Sequence, residues 1–238
     1  NNGLEVPIKA GGRLTGRIGR FTLGALNIHS GENLASESPG TNFTVLRLRR
    51  DVLRKSSIGL IFTGRSAAQT SNGSNLAYGV DGRFAFFEDL TINTFWASTR
   101  TRNLKGDNFS YRAKFDYDAD RYGLTVEHLA VGDNFNPEIG FVRRDDLRRS
   151  FAEVRFSPRP SKSTVVRKYS FVGSVDYNQD GDGLLETREL NAEFRVDFQN
   201  SDAARIEYAD SYEFLQQPFA IASGTVLPVG GYNFSRLH

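Results

Sequence analysis

Cysteine is absent from all 238 residues. That excludes a disulfide-stapled scaffold, a thiolate metal centre and a cysteine nucleophile. Methionine is absent too, and the chain opens Asn1-Asn2-Gly3, which reads as a mature or partial product. No signal peptide is legible at that end. No run approaches the roughly eighteen apolar residues of a transmembrane helix, so only strands could carry this chain across a bilayer. Excess charge of either sign is lacking as well. Thirty basic residues stand against 28 acidic ones, a formal charge of +2, which argues against nucleic acid as a partner. Histidine occurs only as His29, His128 and His238, too far apart to share a ligand spacing. Ser30 follows His29, but no Gly-x-Ser-x-Gly elbow exists, so the sequence marks no catalytic residue. A Ser–His pair assembled across strands lies beyond the reach of sequence spacing.

Helical periodicity is weak throughout, and alternation with period two recurs. The stretch from Asn108 to Val131 shows it best. Phe109, Tyr111, Ala113, Phe115 and Tyr117 alternate with Ser110, Arg112, Lys114 and Asp116, and a tight turn leads to a second arm. Successive strand side chains point to opposite faces, so this is an aromatic face backed by a charged one. Arms of about ten residues suit a tilted strand crossing a bilayer core. The composition, 39% hydrophobic with a mean hydropathy of -0.43, fits a barrel whose alternate residues face a polar lumen.

Strands are predicted at 7–18, 20–29, 42–51, 56–65, 75–87, 90–101, 108–118, 122–131, 147–157, 164–177, 185–198, 203–214 and 231–238. Short turns at Gly19-Arg20, Val52–Lys55, Glu88-Asp89, Ala119–Arg121, Ser157–Ser163 and Gln199–Asp202 alternate with longer loops at 30–41, 66–74, 102–107, 132–146, 178–183 and 215–230. Tight turns on one side and larger loops on the other belong to a membrane barrel, whereas Greek-key connections mix lengths. Lipid-facing positions are Phe109, Tyr111, Phe115, Tyr117, Phe194, Val196 and Phe198. The pore-lining candidates are Asp81, Arg83, Arg112, Lys114, Asp116, Glu127, Glu153, Arg155, Glu193, Arg195 and Asp197. Such charges either set the selectivity of a pore or pair and fill the interior. Arg143, Arg144, Arg148 and Arg149 read as a solvated strand end, or as a contact for anionic head groups.

One segment looks metal-like. Asp176, Asn178 and Asp180 before Gly181 match the start of a calcium loop. The twelfth position is Thr187, with Glu186 and Glu189 beside it, and no flanking helices are predicted. An Asp/Asn/Gly hairpin loop accounts for the same residues, so calcium is a weak expectation and no other cofactor is expected. Arg13, Arg17 and Arg20 among glycines lack the Gly-Lys-Ser/Thr and the helix of a phosphate loop.

Three strings carry a family likeness: Phe135-Asn-Pro-Glu-Ile-Gly-Phe-Val-Arg-Arg144, the run Pro7–Gly24, and Gln217-Pro-Phe-Ala-Ile221 with Leu227-Pro-Val-Gly-Gly-Tyr232. On these the chain resembles an outer-membrane barrel family of uncharacterised function from Gram-negative bacteria, whose barrel usually follows a domain similar to family-9 carbohydrate-binding modules. The resemblance implies a barrel fold and an outer-membrane address, and it brings no catalytic residues.

The expectation is thus an all-β, antiparallel, up-and-down transmembrane β-barrel. It forms a single domain over 1–238, incomplete at about 13 visible strands, with more expected beyond the C-terminus. The expected role is a pore or transport-associated channel for small solutes, saccharides by family analogy. The alternatives are a structural or binding component of a surface complex, or an outer-membrane hydrolase. The expected partners are outer-membrane lipid and other envelope proteins.

Overall fold

The computed structural model describes residues 5–33, 35, 38–69 and 73–238. Residues 1–4 lie outside the described residues, as do 34, 36–37 and 70–72 within the loops expected at 30–41 and 66–74. Among the described residues, no helix is long and apolar enough to cross a membrane.

The strands are β1 (Ile8–Ile18), β2 (Phe21–Ser30), β3 (Thr41–Val52), β4 (Ser56–Arg65), β5 (Asn75–Phe86), β6 (Leu90–Thr101), β7 (Phe109–Asp118), β8 (Tyr122–Val131), β9 (Leu147–Phe156), β10 (Val166–Gln179), β11 (Leu185–Phe198), β12 (Ala203–Leu215), β13 (Phe219–Ala222), β14 (Thr225–Leu227) and β15 (Gly230–Leu237). Thirteen form one antiparallel meander in sequence order from β1 to β12, then β15. The pair β13–β14 stands apart. Each of the thirteen matches a predicted strand to within two residues. The predicted loop at 215–230 is corrected: Phe219–Ala222 and Thr225–Leu227 pair across Ser223-Gly224, where Gly224 has a φ of 80°. The loop predicted from Asn178 begins later, because β10 extends to Gln179.

By its contacts the chain divides into two compact units. The first holds Asn1–Ala85, Ile92–Arg112 and Ala130–Asp146; the second holds Phe86–Thr91, Ala113–Leu129 and Leu147–His238.

In the first unit, the pairing of β2 to β5 aligns Leu23, Leu48, Leu60 and Val80 in one row, and Ala25, Leu46, Phe62 and Tyr78 in the next. Trp96 packs on Tyr78 with ring centroids 6.0 Å apart. In the second unit a chain of rings crosses four strands. Tyr122 meets Phe156 at 5.3 Å, Phe156 meets Phe171 at 6.2 Å, and Phe171 meets Phe194 at 4.9 Å. Aromatic pairs at such spacings are worth about 0.5–1.5 kcal/mol each beyond area burial, and they pin the register that their alternation specifies.

These apolar rows are exposed or half-buried along their length. Thirty-seven large apolar side chains are exposed among the described residues, whereas the buried apolar ones are only Ala77, Ala130, Val131 and Ala209. Few apolar side chains are sealed in a core among the described residues. Backbone ladders, ring rows and the ion pairs of the opposite face are the visible contacts.

Candidate functional site

The face opposite the apolar rows carries the charges, and register decides which of them meet. In the first unit, pairing brings Arg49, Gly59 and Asp81 side by side on β3, β4 and β5. Arg47 reaches across Gly59 and holds Asp81 through both guanidinium nitrogens. A Cβ on Gly59 would collide with that guanidinium, so glycine is required for the approach. Arg17 and Arg49 converge on Asp51 at 2.9 and 3.4 Å.

In the second unit, Arg149 bridges three strands. It donates to Glu127 on β8 at 3.1 Å and to Asp176 on β10 at 2.6 Å. Arg149 is therefore no solvated strand end, and this correction follows from the register that sets it between two acids. Arg205 lies between Glu193 and Glu207 at 3.5 and 3.6 Å. Arg195 meets Asp197 at 2.9 Å, and Lys114 meets Asp116 at 3.5 Å. Arg155 donates to the carbonyls of Ala119 and Asp120 and to Asp118, clamping the β7–β8 turn. Arg83 and Glu153 form no ion pair among the described residues. Arg112 is engaged as well. Most of the pore-lining candidates thus lie in ladders of ion pairs rather than as isolated charges.

The seven positions expected to face lipid are exposed or half-buried; Tyr111, Tyr117 and Phe194 are each 37% exposed. Phe109 and Tyr111 stack at 6.1 Å.

An enclosed polar site lies in the first unit, and sequence reasoning missed it. The segment 132–146 folds over the loop ends of β4 to β7. The Glu138 side chain is 1% exposed. It accepts the Gln69 amide on both oxygens, at 2.9 and 2.8 Å, and faces Arg65 at 3.6 Å, itself 14% exposed. The Asn75 side chain donates to Thr101 and to the Asn136 carbonyl at 2.7 Å each, and accepts from the Glu138 amide. The Thr99 hydroxyl accepts from the Asn136 amide. A cleft of about 690 Å³ opens beside this latch, lined by Ser30, Thr41, Phe43, Arg65 and Glu138 among others. The only sequence signal here was the unusual Pro-Glu-Ile-Gly string.

The metal-like residues have other occupations. Asp176 is held by Arg149 on both oxygens, and Asn178 bonds Asp176 and Thr187. The Asp180 carboxylate accepts the Leu184 amide and closes the turn. Among the described residues no three His, Cys, Asp or Glu side chains gather to hold a metal ion.

Of the histidines, His128 has a notable partner. Its Nδ1 lies 3.0 Å from the Ser150 hydroxyl, on the adjacent strand and on the apolar face. Tyr177 pairs with Ser150, and Arg188 follows on β11. A polar row thus borders the apolar rows at the loop end of this unit.

A search against protein-family models, curated proteins and solved structures gives no match for this chain.

Proposed function

We propose that this chain forms the wall of an outer-membrane β-barrel in a Gram-negative bacterium and passes small solutes along its charged face. The observation that carries the reading is the opposition of the two faces. Exposed Leu, Phe, Tyr and Trp rows stand on one side, and ion-paired Arg, Asp and Glu on the other. Hydrocarbon is the solvent that suits the first, and a wet lumen suits the second. On β11, Leu190 to Phe198 covers about 27 Å at about 3.4 Å per residue. At a tilt of about 40° that is about 21 Å of depth, against an apolar band about 25 Å tall. Closure is part of the proposal: β1 and β15 each carry one ladder, and a bilayer tolerates no unpaired edge. Even strand counts call for at least one strand beyond the thirteen. Saccharides as the permeant rest on the family resemblance alone.

Two measurements test this in sequence. Purified protein should partition into detergent and show heat-modifiable migration; solubility without detergent would overturn the membrane reading. Reconstituted into planar bilayers, it should give stepwise currents. A folded barrel without current would overturn the pore reading and leave a structural or binding role in a surface complex. The His128–Ser150 contact favours a second reading, an envelope hydrolase working at the lipid-facing wall, which a serine-directed probe decides.

A further inference from the structure

We propose that the apolar face of the second unit seats one anionic phospholipid, with an acyl chain in a hollow over Gly173 and Ala192 and the phosphate on Arg121. This rests on the membrane reading. Val154, Gly173, Ala192 and Tyr208 align as one cross-strand row on β9 to β12. Its two middle members have almost no side chain. The neighbouring row, two residues along the strands, is Phe156, Phe171, Phe194 and Ile206. Large rings beside missing side chains leave a trough, and its volume is about 720 Å³. Phe171, Phe194 and Ile206 remain 46%, 37% and 55% exposed, so the trough is open to whatever solvates this face.

A cation stands at its turn-side mouth. The Arg121 guanidinium lies 5.7 Å from the Tyr122 ring and 5.4 Å from the Phe156 ring, both of which wall the trough. Arg121 forms no ion pair among the described residues. The acids nearest in sequence are already engaged: Asp118 by Arg155 at 2.7 Å and Asp120 by Arg159 at 2.6 Å. An unneutralised guanidinium held over aromatic faces, beside an apolar trough, complements a phosphate joined to an acyl chain. Free phosphate would use the cation and leave the trough unused.

The test is native mass spectrometry of detergent-purified protein with added phosphatidylglycerol, against phosphatidylcholine and inorganic phosphate. The wild type should retain one phosphatidylglycerol per chain in preference to phosphatidylcholine. Gly173→Phe should lower retention at least about tenfold, because it occupies the trough. A Cβ there meets only Val154 Cγ2 at 3.7 Å and the Asn191 carbonyl at 4.0 Å, so the variant should fold. Ala192→Leu fills the same space from the next strand and serves if it does not. Arg121→Ala should weaken phosphatidylglycerol about fivefold and remove the preference. Heat-modifiable migration of each variant keeps the two ideas apart. Its loss in the wild type sinks the membrane reading. Its presence with unchanged retention in the filled and Arg121→Ala variants sinks the lipid seat, as does equal retention of both lipids or binding of inorganic phosphate alone.

Discussion

Replacing Glu138 by alanine should release the segment 132–146 and little else. The carboxylate is 1% exposed and faces Arg65, whose side chain is 14% exposed. The Arg65 Nε is also buried without a hydrogen bond. Removing the acid leaves that guanidinium buried with its carboxylate gone, which costs about 3–5 kcal/mol. The Gln69 amide loses its acceptor in the same step. At about 1.4 kcal/mol per tenfold, the opening equilibrium of the segment should rise about a hundred- to several-thousandfold. Amide hydrogen exchange reads this directly. Protection at Asn136, Glu138 and Gly140 should collapse while the ladders of β2 to β4 keep theirs. The paired variant Glu138→Leu with Arg65→Leu should recover much of the loss, since an apolar replacement of both partners leaves no orphan charge. Unchanged exchange in Glu138→Ala, or loss spread evenly over the chain, would refute the latch.

Other substitutions follow from the same geometry. Gly132→Ala should destabilise by about 1–3 kcal/mol, because its Cβ would strike the Asp107 backbone carbonyl; a thermal melt equal to wild type would contradict the close approach. Arg149→Met removes the guanidinium that Glu127 and Asp176 share. It should cost about 1–3 kcal/mol by melting and shift the bilayer reversal potential toward cation preference, and an unchanged potential would remove these residues from the permeation path. A fluorophosphonate probe should leave Ser150 unlabelled if the chain is a pore; labelling abolished by Ser150→Ala would favour the hydrolase.

The sequence announced the strands because alternation needs no partner to be visible: Phe109 to Asp118 carries its two faces in its own letters. It also separated apolar from charged positions, since Phe194 and Val196 differ from Glu193 and Arg195 by parity alone. Pairings were another matter. Arg149 meets Asp176 because β9 and β10 align at one register, and 27 residues separate the two. Parity alone sets Arg149 on the charged face and Arg148 on the other, but nothing local names its partner, and Asp176 looked like a cation ligand until its guanidinium appeared. Arg155 shares a face with the other charges, yet its reach to the Ala119 and Asp120 carbonyls depends on a turn formed by another hairpin. The Ser150–His128 contact and the Glu138 latch are likewise products of folding. The β13–β14 hairpin escaped notice because strands of four and three residues offer too few alternations to read.

The arginine that lies flat across Gly59 has a consequence for calibre. With no side chain beneath it, the Arg47–Asp81 pair hugs the floor of the sheet instead of standing up from it. If solutes travel this surface, the width of their passage at that level is governed by an absent methyl group. Enlarging residue 59 step by step would lift the charged pair into the stream and narrow the throat without altering a single charge.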